Sequence, residues 1–497
     1  MYYLGIDVGT TAIKAIVVDE TGQVCGMESR ENRQYFPRPG WVEQDPQELL
    51  TLCLSVTDTL LKRLKLRAVE LGAIGIDHQG ETCLVWDKET GRPVYPAIVW
   101  QDRRMAETTE GVAPETAARM KAITGLRPDS YYSGWKLRWI LDHTENGQQQ
   151  AEQGRLLSGT LNTWLIWKLT GGTAFVMDHS SAGCTMLCDV RSGEWDDWLL
   201  SELRLPRCML PDLVCSDGPL GETAPDMFFG ARVPISATLT DGSAGIVSAG
   251  AARPGGFICT YGTGSFMHLI TGSSYVPPRS GLTASCCLTT ARMKLYQLNG
   301  ICYTAGAAVK WLRDGLKLIQ SAEESETLAR SVKDTGGVYF VPAINGLATP
   351  DWDQSARGAF LGMTGGTTRA HLARAVLEST ALQVACCCRI MSDTSGTRLM
   401  ALDAVGGMTA NSFLMQLQAD LLGIPVRLPA QTEPAYGTAV LAAAAIGRGP
   451  GMESIAQLNP PVRQYEPRMG EAERLERIHA WRYAVERCKQ WDPCGKK

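Results

Sequence analysis

Apolar and polar positions recur along this chain in one order, strand, glycine turn, strand, and they do so twice. Residues 4–19, Leu-Gly-Ile-Asp-Val-Gly-Thr-Thr-Ala-Ile-Lys-Ala-Ile-Val-Val-Asp, read as an apolar strand, a turn of Gly9, Thr10 and Thr11, and a returning apolar strand. Asp19-Glu20-Thr21-Gly22 then supplies a turn before a third strand, Gln23 to Arg30. Breakers fill Phe36 to Pro46, and Pro46 opens a helix with helical apolar spacing through Leu64. Residues 71–81 predict a buried strand ending in the polar cluster Asp77, His78, Gln79 and Glu81. Ala97 to Arg104 repeats that pattern around Trp100. Helices are predicted after Tyr131, with Leu137, Ile140 and Leu141 as the apolar stripe, and over 160–170.

The order then begins again. Residues 257–270, Phe-Ile-Cys-Thr-Tyr-Gly-Thr-Gly-Ser-Phe-Met-His-Leu-Ile, give strand, Gly262-Thr263-Gly264 turn, strand. Tyr303 to Arg313 reads as a helix start containing Gly306. Leu402 to Asn411 gives a strand, the pair Gly406-Gly407, and a helix through Leu422. Two such hairpins about half a chain apart predict a duplicated α/β domain whose halves face each other. The small-residue stretch Ala249 to Gly256 marks the boundary, giving domains 1–248 and 249–497. A length of 497 residues also exceeds what one core usually supports.

Composition narrows the partners. With 44% hydrophobic residues, 20% charged residues and a net charge of −4, the chain has no excess positive charge for nucleic acid or an anionic membrane. A small-molecule partner is expected. The first strand starts at Tyr2, which leaves no room for an export segment, and the apolar run Ala439 to Ile446 is too short to span a bilayer. A cytoplasmic location follows as an expectation. Of the 16 cysteines several are adjacent, Cys286-Cys287 and Cys386-Cys387-Cys388. Without Cys-x-x-Cys pairs or histidines at ligand spacing, most read as small buried hydrophobes.

The candidate chemistry sits at the turns. A glycine and threonine bend lets backbone N–H groups and small hydroxyls approach a phosphate, and Asp7 beside it offers the hard oxygen that magnesium takes. Lys14 adds a positive charge from the second strand. A plain structural hairpin is the alternative for either copy alone. Thr240-Asp241-Gly242-Ser243 brings a lone aspartate to a glycine turn after an apolar strand; it could take a proton from a substrate hydroxyl, or simply bond its own loop. Glu81 and its neighbours could meet a substrate or cap their strand, and Trp100 could face a polyol or fill the core. The helix starts at Gly306 and behind Gly407 suit a nucleotide or ordinary packing.

Taken in order, these motifs resemble the FGGY carbohydrate kinases, most closely the glycerol kinases. The likeness runs from Gly5 to about Gly447. Its specific parts include Gly5-Ile-Asp-Val-Gly-Thr-Thr11, Gly40-Trp-Val-Glu-Gln-Asp-Pro46, Glu81 to Asp87, Ile98 to Arg104, Tyr131 to Asp142, Tyr261-Gly-Thr-Gly264, Gly358 to Met363, Ala375 to Glu378, and Asn411 to Gln416. The resemblance implies two ribonuclease H-like α/β domains of the actin and sugar kinase superfamily around a central cleft. It implies transfer of the γ-phosphoryl of ATP, with Mg2+, to a terminal hydroxyl of a small polyol or sugar. By this carry-over Asp7 lies near the metal through a water, and Thr10, Thr11 and Lys14 near the phosphates. Thr263, Gly306, Lys310, Gly407 and Asn411 complete the ATP site. Asp241 is the general base, with Gly80, Glu81, Trp100, Tyr131, Gly242 and Phe266 around the substrate. A homodimer or homotetramer is the expected assembly.

Three departures bear on this picture. The resemblance implies Asn-Gln-Arg-Glu where the chain has His78-Gln79-Gly80-Glu81, Asp-Gln where it has Asp241-Gly242, and an aspartate where it has Val405. Losing two large polar side chains predicts a roomier, less discriminating acceptor site, hence a four- or five-carbon substrate in preference to glycerol. A glycerol kinase proper and a xylulose or ribulose kinase are the alternatives. A non-catalytic sugar sensor or actin-like ATPase module is the reading from a different class.

Overall fold

The computed structural model describes residues 1–491. Two mixed sheets of matching topology organise it. In the first, the strands Val24–Glu31, Ala12–Asp19 and Tyr2–Val8 form an antiparallel meander, and Leu71–His78 and Pro234–Thr240 then add in parallel. Asp217–Glu222 closes that edge antiparallel. In the second sheet Lys294–Cys302, Ser265–Gly272 and Phe257–Tyr261 form the meander, Leu402–Val405 and Val426–Pro429 add in parallel, and Pro461–Tyr465 closes antiparallel. The second sheet carries one more strand, Thr283–Thr289, on its meander side. The duplication expected from the two hairpins is thus present strand for strand.

The local reasons are visible in the sequence. Asp45 caps the helix Pro46–Leu64 by accepting from the backbone N–H groups of Gln47 and Glu48, Pro46 occupies its first turn, and Lys65 ends it in a left-handed conformation. Its apolar stripe, including Leu49, Cys53, Val56 and Leu60, packs with Leu4, Ile6, Ile13 and Val17 beneath the first sheet. The long helix Arg369–Ser395 serves the second sheet, burying Cys386, Cys387 and Cys388 among Met267, Leu269 and Leu298. All fifteen cysteines among the described residues are free, and eleven of them are buried, Cys25 and Cys208 being exposed.

The apolar run near residue 440 belongs to the helix Pro434–Ala445, which crosses from the second half of the chain onto the first sheet. Close approach there requires glycine: a Cβ on Gly5 would lie 1.8 Å from the Ala435 carbonyl oxygen, and one on Gly75 2.4 Å from that of Thr438. Ala435, Ala439 and Val440 share a core with Tyr3, Ile16, Leu239, Ile246, Ile258 and Ile270, so this core joins the two halves. Among the described residues no helix is long and apolar enough to cross a membrane.

Candidate active site

Parallel strands end at one edge, and three adjacent strands of the first sheet each deliver an aspartate there. Asp7 closes Tyr2–Val8 and stands directly opposite Asp77 of Leu71–His78, while Asp241 follows Pro234–Thr240 at once. Asp241 is not in a glycine turn, as the sequence suggested. Thr240 caps a helix, Asp241–Ser248, and the aspartate occupies its first turn. Its Oδ1 accepts from the Gly242 N–H at 2.7 Å. Burial pushes its pKa up to about 6, against the pull of the Gly242 and Gly80 amides.

Asp7 and Asp77 are buried face to face. Burial, and then the charge of Asp241, raises Asp7 to about 7; burial, and then Asp7, pushes Asp77 well above the usual carboxylate range. The Thr438 hydroxyl donates to Asp77 Oδ2 at 2.6 Å, so the crossing helix is tied to this edge. Oδ1 of Asp7 and Oδ1 of Asp77 are both buried without a hydrogen-bond partner. Orphaned carboxylate oxygens of this kind fit a hard divalent cation such as magnesium. Among the described residues no group of three or more histidine, cysteine, aspartate or glutamate side chains could hold a metal ion.

The polar cluster at 77–81 divides. His78 is fully buried, with Nδ1 on the Gln79 carbonyl and Nε2 on Ser181, and burial lowers its pKa to about 4. Gln79 donates to Gln44 at 2.6 Å. His78 is thus held at both ring nitrogens by its neighbours, whereas Oε1 of Gln79 is buried without a hydrogen-bond partner. Glu81 is different. It is a non-glycine residue with φ +52°, a conformation costing about 1–3 kcal/mol that persists only where surroundings impose it. The Ser133 hydroxyl and the buried Lys136 ammonium both donate to its carbonyl, at 2.9 and 3.2 Å. Its side chain lies beside Cys184 and Tyr131, and burial raises its pKa to about 7.

Trp100 is not core. It is half-buried, its Nε1 donates to the Thr10 hydroxyl at 2.9 Å, and its ring meets Tyr131 edge-on at 5.7 Å. Trp100 and Tyr131 from the first half, with Phe266 and Ile301 from the second, line a cavity of about 240 Å³. A residue of the first hairpin turn therefore leads through Trp100 to a cleft that both halves wall.

The remaining predicted residues are more dispersed. Thr11 and Thr263 are exposed at their turns, and the Thr263 carbonyl accepts from the amides of Ala305 and Ala307. Gly306 begins the helix Gly306–Asp314, its N–H bonded to the Gly262 carbonyl, and Lys310 on that helix is exposed. Lys14 is paired with Glu433 at 2.5 Å. Gly407 is exposed in a short 3-10 turn. Asn411 accepts from the Leu414 N–H as the cap of Ser412–Leu422. The N–H groups of Ser412 and Phe413 already bond the Glu326 carboxylate, so this helix start is not a free seat for a nucleotide. Sequence reasoning missed Thr438, Lys136 and Cys184; none carries a local signal, because each is brought in by a distant element.

Family models for the N-terminal and C-terminal domains of the FGGY family of carbohydrate kinases match residues 2–248 and 257–446. The chain is 43% identical over 497 residues to a glycerol kinase of Carboxydothermus hydrogenoformans, covering 99% of each. Its fold is similar to that of a Plasmodium falciparum glycerol kinase with ADP, at TM-score 0.93 and 30% identity over 98% of each chain. A Brucella ovis xyloylose kinase is similar at TM-score 0.86 and 25% identity, again over 98% of each.

Proposed function

Since the chain belongs to the FGGY family of carbohydrate kinases, we propose that it transfers the γ-phosphoryl group of ATP to a terminal hydroxyl of glycerol or a closely related polyol. The observation that carries the reading is Asp241, a half-buried carboxylate held by the Gly80 and Gly242 amides, whose charge reaches Glu81 and Tyr131, the latter a wall of the aromatic cleft. The nearly full-length likeness to glycerol kinases supports glycerol as the first substrate to test.

In this reading Glu81 and Tyr131 hold the polyol, and Trp100 and Phe266 exclude water from it. Asp241, ionised at neutral pH, accepts the proton of the terminal hydroxyl as its oxygen bonds to the γ-phosphorus. The bond from that phosphorus to the β-γ bridging oxygen breaks, and ADP leaves. Asp7, with Asp77 beside it, is the pair that would hold magnesium. When bound, the ion neutralises phosphate charge. Thr10, Thr11, Thr263 and Lys14 are assigned to the phosphates, and Gly306, Lys310, the exposed backbone at Gly407 and the Asn411 side chain, rather than the Ser412 and Phe413 amides that Glu326 fills, to the rest of the nucleotide.

A longer acceptor is the second reading, favoured by Gly80 and Gly242. Neither has the positive φ that would demand glycine. A Cβ on Gly242 would meet nothing within 4 Å, and one on Gly80 would make only ordinary contacts, 3.4 Å from Cys184 Sγ and 3.6 Å from Thr240 Cγ2. The backbone tolerates side chains at both positions, so what the glycines contribute is room. ADP release measured across glycerol, tetritols, pentitols, xylulose and ribulose tests both readings: ATP consumption independent of any polyol would sink the kinase assignment, and kcat/KM highest for glycerol would remove the longer acceptor.

A further inference from the structure

A Cβ on Gly80 would meet Cys184 Sγ at 3.4 Å, and one on Gly183, next to Cys184 in the chain, would lie 3.7 Å from Cβ of Ser285 on the second sheet. Ser285 is one end of a polar row across three strands. The Asn299 and Gln297 amides both donate to its hydroxyl at 3.1 Å, and Asn299 Oδ1 pairs with His268 Nδ1 at 2.9 Å.

This row shares a sheet face with the cleft wall. Side chains two apart on a strand point the same way, so His268 lies on the side of Phe266, and Asn299 on that of Ile301. The register agrees, with Phe266 opposite Ile301 and His268 opposite Asn299. Met267, Leu269 and Leu298 point the other way, into the core beneath the sheet. The half-buried histidine, asparagine and serine on this face bond one another, which leaves only part of their hydrogen-bonding capacity used. His268 Nε2 has no protein hydrogen-bond partner among the bonds of the described residues, and Gln297 Oε1 is buried without one.

We propose that His268, Asn299 and Ser285, with Cys184 as the floor leading to them, form a distal subsite for the hydroxyls of an acceptor longer than glycerol. It rests on the longer-acceptor reading above, and it names the class of ligand: an open-chain tetritol, pentitol or ketopentose. The terminal hydroxyl sits at Asp241, the middle of the chain passes Gly80 and Phe266, and the far hydroxyls exchange hydrogen bonds with the imidazole and amide. A site built to bond those hydroxyls discriminates against an acceptor that lacks them, because its own polar groups are then left unpaired.

The test is a kcat/KM ratio, five-carbon polyol over glycerol, in the wild type and in His268→Leu and Asn299→Leu, with His268→Gln as the conservative variant. A preference for the longer acceptor in the wild type that falls about tenfold in each Leu variant and partly returns in His268→Gln is expected. The ratio cancels any general loss of folded enzyme. A wild-type preference that survives both Leu substitutions overturns the subsite and leaves the longer acceptor standing. A wild type that favours glycerol overturns both.

Discussion

The two sheets share a topology but not a chemistry, and the difference lies at equivalent edges. In the first sheet the ends of the parallel strands carry Asp7, Asp77 and Asp241. In the second, Thr260 faces Val405 in the pairing where Asp7 faces Asp77, and the strand ends run into Gly262, Gly264, Gly406 and Gly407. Tyr261, next in line, sends its hydroxyl to Gln418 at 2.8 Å and is wholly buried. One edge concentrates negative charge; the other removes side chains and offers backbone. Phosphoryl transfer needs both, a base and metal ligands for the acceptor end and close backbone approach for an anionic nucleotide. A duplicated fold supplies two identical edges, and substitution at few positions makes them complementary.

The acidic edge is the one whose loss costs most. Asp241→Asn should lower kcat by roughly 10²–10⁴-fold, the span typical of a general base, while calorimetry still shows ATP binding. Undiminished turnover would take the base role from it. The wild-type pH profile sharpens the point. Asp241 works only when ionised, so kcat/KM should hold above about pH 6 and fall as pH drops through it. Stability runs the opposite way: a folded-state pKa raised from 3.8 to about 6 favours the native state at acid pH and loses that contribution as pH rises. The Asn variant should therefore gain more in Tm, relative to wild type, at about pH 8 than at about pH 4.

The glycine edge should show smaller effects, unequal between neighbours. Gly406 has φ +96°, and a Cβ on it would lie 2.6 Å from the Tyr261 carbonyl oxygen, whereas a Cβ on Gly407 meets nothing within 4 Å. Gly406→Ala should destabilise by about 1–3 kcal/mol in denaturant titrations and raise KM for ATP. Gly407→Ala should do neither through strain. If both variants behave alike, backbone geometry is not what this edge contributes.

How much of this was legible depends on where the information sat. The hairpins, the Pro46–Leu64 helix and the duplication were readable because apolar period and turn residues are local. Asp7 and Asp241 could be picked out as strand-end carboxylates. The alignment of Asp7 with Asp77 could not, since it depends on the register of two strands over sixty residues apart in the chain. His78 and Gln79 looked equivalent to Glu81 by position, and only packing separated them. The helix start behind Gly406-Gly407 looked open because Glu326, which fills it, comes from another helix. The polar row through His268 was hidden for the same reason, since its members come from three separate strands.

Lys14 offers the finest cut between the edges, because it leaves the first hairpin to pair with Glu433 at the foot of the crossing helix. The two side chains are 30% and 33% exposed, so the pair is worth under about 1 kcal/mol, and a triphosphate is a stronger competitor for the ammonium. Lys14→Met should consequently raise KM for ATP about three- to tenfold with little change in Tm. Glu433→Gln, which removes the competitor, should leave that KM equal or lower. The reverse result, a coupled loss of Tm in the double-mutant cycle with KM unmoved, would make the pair a strut between the halves. The phosphates would then be gripped only by the hairpin backbone, Thr10, Thr11 and Thr263, and the two edges would differ less than their charges suggest.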